Sequence, residues 1–174
     1  MAQADCLYDA QQVEQAISKV AQQICAQLSE HNPLVFCVLN GGLIFTGKLL
    51  PQLYFPLQQA YLHATRYRGQ TTGGELLWKA APEMPLAGRV VLIVDDILDE
   101  GHTLHAIMES CRQQGATQVY SAVLLNKLHE RKAQPGFQAD FVGLECDDRY
   151  VFGYGMDYQG YWRNAAGIYA VKDL

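Results

Sequence analysis

The chain has no excess of positive charge: 13 Lys and Arg stand against 18 Asp and Glu, for a net charge of −5. That excludes the broad basic field that draws in nucleic acid or an anionic membrane, so any phosphate must be held by local devices. No Cys-x-x-Cys pair occurs among Cys6, Cys25, Cys37, Cys111 and Cys146, and an odd count does not suit a disulfide framework. They read as reduced, buried thiols of a cytoplasmic protein. No apolar stretch approaches the ~20 residues needed to span a bilayer. The start, MAQADCLYDAQQ, lacks the basic and apolar segments of a secretory signal. Neither GxGxxG nor GxxxxGK[ST] is present, which weakens Rossmann and P-loop readings. Repeats, low-complexity tracts and linkers are absent too. The 174 residues suit a single domain, 1–174, with a real core, and 49% hydrophobic against 18% charged residues is a globular balance.

What is present alternates between strand and helix patterns. The first element reads as a helix, capped by Asp9 with Gln12 as its capping-box partner. Val13, Ile17, Val20, Ile24 and Leu28 recur along it at helical spacing, and Asn32-Pro33 closes it. LVFCVL at Leu34–Leu39 is wholly apolar, as a strand buried on both faces of a parallel sheet requires. Asn40-Gly41-Gly42 breaks it, and GLIFTGKLL follows as a helix. Tyr61–Tyr67 reads as a strand, Arg68–Gly74 as a polar Gly-rich tip, and Glu75–Lys79 as the returning hairpin arm. VVLIV at Val90–Val94 is the clearest buried strand. DDILDEG and a helix bearing Leu104, Ile107, Met108 and Cys111 follow, with Gly115 as the stop. Val119–Leu125, Phe141–Leu144 and Gly167–Val171 complete the strands. The order predicts an α/β fold with a mainly parallel sheet flanked by helices.

Ligands of open α/β sheets bind beyond the carboxyl ends of the strands. Asp95 and Asp96 stand at that edge, immediately after the Val90–Val94 run. Paired carboxylates there accept ribose hydroxyls or draw in a divalent cation; two adjacent Asp also suit a capped turn. Asp99, Glu100, Gly101, His102 and Thr103 then form a polar turn opening a helix. A helix N-terminus with free N–H groups is an anion site, most naturally for phosphate. Carboxylates for a ribose beside a phosphate cradle describe a ribose 5-phosphate. His102 and His105 make two metal-type ligands without a third, too few for a metal centre.

The segment VVLIVDDILDEGHTL, Val90 to Leu104, resembles the phosphoribosyl-diphosphate (PRPP) signature of type I phosphoribosyltransferases: an apolar strand, two acids, then DxGxT. LNGG at Leu39–Gly42, TRYRGQTTGGE at Thr65–Glu75, LLNK at Leu124–Lys127 and DFVGLE…YVFGYGMDY…YWRN from Asp140 to Asn164 are similar to the hypoxanthine-guanine branch of that family. The matches keep the family's order from about residue 35 onward.

The resemblance implies a type I phosphoribosyltransferase-like fold with a small hood made by chain-terminal segments. It implies transfer of phosphoribosyl from PRPP to a 6-oxopurine, with Mg²⁺ as cofactor, in a cytoplasmic homodimer or homotetramer. Asp95 and Asp96 take the ribose hydroxyls and metal, and Asp157 is a second metal contact. Asp99, Glu100, Gly101, His102 and Thr103 match the 5-phosphate cradle, and Asp99 also matches the residue that handles the purine N7 proton. Leu39, Asn40 and Gly41 match the diphosphate loop, often with a cis non-proline peptide, and Arg163 is a further diphosphate contact. Lys127 matches the reader of the purine O6, Tyr150 the stacking aromatic and Val151 the backbone edge contact. Arg66 and Tyr67 begin the loop that closes over the site. On position alone, Lys127 is an ordinary surface lysine and Tyr150 a core aromatic. This chain departs from the family pattern at Asn40 (often Lys), Asp95 (often Glu) and Glu100 (often Thr). Two rivals are a PRPP-sensing regulator that binds RNA, which the acidic net charge disfavours, and a transferase acting on adenine or a pyrimidine.

Overall fold

The computed structural model describes residues 4–66 and 76–172. Its main sheet has six strands, β2 (Leu34–Val38), β3 (Gln58–Arg66), β4 (Leu76–Ala80), β5 (Val90–Leu98), β6 (Gln118–Leu128) and β7 (Phe141–Asp147). They lie in the order β4-β3-β2-β5-β6-β7, and every pairing is parallel except β3 with β4. All five residues of β2 are buried, as a central parallel strand with both faces covered demands.

Alternate residues of the central strands feed two cores. Val35, Leu92, Val94, Ala122 and Leu124 pack with α1 (Ala10–Leu28) and α2 (Gly42–Leu49). Phe36, Val38, Val91, Ile93 and Val123 pack instead with Leu104, Ile107, Met108 and Cys111 of α3 (His102–Gln113). This two-residue alternation sends helices to opposite faces of one sheet. The capping box at Asp9 and Gln12 forms in both directions, at 2.8 and 2.9 Å.

Three expectations need correction. A strand, β1 (Ala4–Tyr8), precedes the first helix. Its half-buried residues show no clean alternation, so the segment carried no pattern to read. A two-residue strand, β8 (Val151–Phe152), was also missed. It pairs with β9 (Ile168–Val171), which pairs in turn with β1, so segments near both ends of the chain form a separate three-stranded sheet. Finally, β5 runs on to Leu98, so Asp95 and Asp96 lie inside the strand and not beyond it. The sheet ladder with β6 continues through Asp95, and polar side chains do not stop it. Cys37, Cys111 and Cys146 are buried free thiols, whereas Cys6 is exposed. Among the described residues, no helix is long and apolar enough to cross a membrane.

Candidate active site

The loops after β2 and β5 emerge at the same sheet edge because the two strands are parallel neighbours. The Leu39–Asn40 peptide is cis, and the Leu39 N–H donates to the Leu62 carbonyl at 2.8 Å. Gly41 lies against the Asp96 carboxylate so closely that an added Cβ would sit 2.1 Å from Oδ2. Gly155 presses on the same loop: at φ +112°, its Cβ would lie 2.1 Å from the Gly41 carbonyl oxygen. A tie across the fold holds this stack. The Tyr154 hydroxyl donates to the Glu14 carboxylate, which pairs with Lys48 at 2.8 Å.

The carboxylates beneath are in an unfavourable setting for charge. Asp96 is buried, and its N–H donates to Asp95 Oδ1 at 2.9 Å. Burial, reinforced by the Asp96 charge, holds the Asp95 carboxyl well above the ordinary carboxylate range; burial raises Asp96 as well. The Arg163 guanidinium opposes both shifts. Arg163 is fixed by donating Nη1 to the Gly155 carbonyl and Nη2 to Asp157 Oδ1, each at 2.6 Å. Asp157 Oδ2 accepts the Gly160 N–H at 2.7 Å. The four side chains Asp95, Asp96, Asp157 and Arg163 thus belong to one electrostatic group.

The next residues turn into α3. Gly101 occupies the N-cap at φ +81°, where no side chain caps the helix and glycine is favoured. The first turn, from His102 through Thr103, leaves backbone N–H groups for an anion. Glu100 is exposed and faces His102 at 3.5 Å and the Arg131 guanidinium at 3.8 Å.

Asp99 lies at the meeting point of two strand ends. The β5–β6 register sets Leu98 opposite Asn126, so the residues that follow, Asp99 and Lys127, come together. Lys127 Nζ donates to Asp99 Oδ2 at 2.9 Å, and the Lys127 residue is only 9% exposed. His129 Nε2 lies 2.8 Å from Asp99 Oδ1. Burial raises the Asp99 pKa, but the hydrogen bonds from Lys127 and His129 outweigh it and hold the carboxyl below its ordinary value. Lys132 Nζ lies within 3.2 Å of four oxygens: the carbonyls of Leu98, Asp99 and Lys127 and the Asn126 side chain. It clamps the end of β5 to the end of β6. Asp99, His129 and Asp148 also converge as a group able to hold a metal. The Lys127 ammonium already stands among them, 2.9 Å from Asp99 and 3.9 Å from Asp148, and the Arg131 guanidinium pairs with Asp148 at 2.6 Å, so two cations already match the two carboxylates.

Tyr150 is 44% exposed and meets Tyr158 edge-on, with ring centroids 5.6 Å apart. An exposed aromatic face suits stacking better than core packing. Val151 is buried in β8. Arg66 ends β3; Tyr67 and the tip to Gly74 lie outside the described residues. Sequence reasoning missed His129, Lys132 and Asp148. The run KLHERK looks like an ordinary solvated segment, and only the β5–β6 register reveals what it faces.

The family model described as Phosphoribosyl transferase domain matches residues 3–159. A hypoxanthine-guanine phosphoribosyltransferase of Bacillus subtilis is 30% identical over 95% of this chain and 92% of its own length. A hypoxanthine-guanine-xanthine phosphoribosyltransferase of Tritrichomonas foetus is 28% identical over 96% of this chain and 91% of its own. A solved hypoxanthine phosphoribosyltransferase of Trypanosoma cruzi, in a ternary substrates complex, superposes with a TM-score of 0.90 at 27% identity, covering 99% of this chain and 98% of that one. With the acid pair, the helix N-terminus and the Lys127–Asp99 contact at one sheet edge, these matches show that the chain belongs to the phosphoribosyltransferase family, in its hypoxanthine-guanine branch.

Proposed function

We infer that this chain is a purine-salvage enzyme moving the 5-phosphoribosyl group of PRPP onto hypoxanthine or guanine, with IMP or GMP and diphosphate as products. The observation that carries this reading is the Lys127–Asp99 contact, three residues beyond the Asp95–Asp96 pair. It puts a donor for a purine O6 and an acceptor for a neighbouring N–H beside carboxylates suited to ribose. An ammonium prefers the O6 carbonyl to the amino group that adenine carries there.

The geometry and the family resemblance together support the following roles. Asp95 and Asp96 accept the ribose hydroxyls. The backbone from Glu100 to Thr103 cradles the 5-phosphate, and Glu100, turned toward His102 and Arg131, stays out of it. Leu39, Asn40, Gly41 and Arg163 bind diphosphate. Tyr150 stacks on the base, and the Val151 backbone meets its edge. Asp99 takes the proton from N7 as the other imidazole nitrogen of the base, N9, bonds to the anomeric carbon and diphosphate leaves. The transition state is oxocarbenium-like, as at other glycosyl centres. The three-stranded sheet carrying Val151 serves as the hood of the single domain, 1–174.

The acid pair also fits Mg²⁺. Hard oxygen donors are what that ion requires, and two crowded, buried carboxylates are relieved by a cation. Asp157, whose oxygens each hold one hydrogen bond, keeps lone pairs for a second contact. Bound there, Mg²⁺ would neutralise charge on the departing diphosphate. The protein would act as a cytoplasmic homodimer or homotetramer, with no use for nucleic acid or membrane. Its net charge of −5 supports that last point.

A panel of bases incubated with PRPP tests the reading. Hypoxanthine is expected to give IMP and diphosphate only while Mg²⁺ is present. Failure with hypoxanthine, guanine and xanthine alike would overturn it. Lys127→Ala is expected to lower discrimination against adenine by about 10- to 100-fold, the worth of one charge-assisted hydrogen bond. Equal discrimination before and after, measured as the ratio of kcat/KM values, removes Lys127 from base recognition.

A further inference from the structure

The two oxygens of Asp99 are held by different elements of one strand end. Lys127, in β6, takes Oδ2 at 2.9 Å, and His129, just past β6, takes Oδ1 at 2.8 Å. The His129 side chain is only 6% exposed. Its other nitrogen, Nδ1, accepts the Arg131 N–H at 3.1 Å. A ring nitrogen that accepts an N–H carries no proton, so in the neutral ring the proton lies on Nε2. His129 therefore meets Asp99 as a donor. The backbone on either side is held as well, since Lys132 joins the carbonyls of Leu98, Asp99 and Lys127.

The two holds on the carboxylate differ in one respect. Lys127 must turn its ammonium toward a purine O6 if it is to read the base, which loosens Oδ2. The Nε2 of His129, by contrast, meets Asp99 with no base contact to make. We propose that His129 is a positioning residue for Asp99: it keeps Oδ1 while Lys127 engages the base, and so aims Oδ2 at the base N–H. Without it, the carboxylate would turn about its own Cβ–Cγ bond at the moment its direction matters. Misplacing a reacting group by about 1 Å costs on the order of 100-fold in rate, so orientation alone justifies a dedicated donor.

This inference rests on the reading of Asp99 as the proton acceptor, and the experiment separates the two. Single-turnover rates are measured for the wild type, His129→Ala, His129→Gln, Asp99→Asn and the Asp99→Asn/His129→Ala double variant, with PRPP binding measured alongside. His129→Ala is expected to slow the chemical step about tenfold, with PRPP affinity unchanged. His129→Gln, which places an amide N–H near the same point, is expected to recover most of that loss. In the double variant, removal of His129 is expected to add nothing to the Asp99→Asn loss, because its effect passes through Asp99. Additive losses, or a Gln variant as slow as the Ala variant, would overturn the proposal. So would an unchanged rate in His129→Ala alongside a slow Asp99→Asn, and the reading of Asp99 would then stand. If Asp99→Asn turns over at the wild-type rate, the reading of Asp99 falls and takes this inference with it. Should His129→Ala not fold, His129→Leu, which fills the space without a donor, and its double with Asp99→Asn take its place: a slowed single variant with no added loss in the double is expected, and an unchanged rate or additive losses overturn the proposal.

Discussion

Asp99→Asn is expected to lower kcat by about 100- to 10,000-fold, the usual worth of a positioned general base, while the KM for PRPP changes little. Asparagine keeps the volume and one acceptor oxygen but cannot take a proton. It also presents an NH₂ group to one of two donors. Lys127 and His129 both point at this carboxylate, so one of them loses its acceptor whichever way the amide turns. The Lys127 ammonium is buried, and its nearest other carboxylate is Asp148 at 3.9 Å. Losing a buried charge's partner destabilises, so a lowered Tm accompanies the kinetic loss. The two effects separate in the assay. Turnover at saturating substrate reports the chemistry, while equilibrium PRPP binding reports the intact ribose and phosphate contacts. A turnover number equal to the wild type would remove Asp99 from the proton transfer.

Gly155→Ala is the second large effect, and it acts without touching a chemical group. The backbone there has φ +112°, a region that L side chains rarely adopt, and the new Cβ would meet the Gly41 carbonyl oxygen at 2.1 Å. Neither neighbour has room to yield. Gly41 is itself pressed on the Asp96 carboxylate, and the Gly155 carbonyl anchors Arg163. One methyl group thus displaces the proposed diphosphate loop, a ribose carboxylate and a guanidinium together. We expect kcat/KM for PRPP to fall by at least about 100-fold, with a loss of stability of about 1–3 kcal/mol from the strained backbone. Gly88→Ala is the control: it shares a positive φ, +75°, but has nothing within 4 Å of its Cβ. It should lose stability and keep its PRPP kinetics. Equal kinetic losses in the two variants would mean that backbone strain, and not the stacked loop, is responsible.

The parts of the fold legible in the sequence are those that bury a continuous pattern. The apolar runs gave β2 and β5, and the helical periodicity and capping box gave α1. The strands of the small sheet were only partly legible. β8 has two residues, and β1 shows no clean alternation, so neither offers a period to detect. At the site, Asp95 and Asp96 announced themselves because their acids interrupt an apolar strand. Their exact setting did not, since a strand ladder can continue through polar residues. His129 and Lys132 were invisible for another reason. What they touch lies 30 and 33 residues away along the chain, at Asp99, and is set by a strand register that no local pattern encodes.

The small sheet has an order of assembly written into it. Its central strand is β9, the last of the described strands, with β1 and β8 on either side. During synthesis from the N-terminus, the strands bearing Asp95, Asp99 and Lys127 leave the ribosome before β9 does. Tyr150 directly precedes β8 and offers its carbonyl to the Val171 N–H. A nascent chain can therefore bring Asp95, Asp99 and Lys127 together while the backbone of Tyr150, the proposed stacking residue, still lacks the strand that holds it. The proposed platform for the base is supported only once synthesis has passed β9.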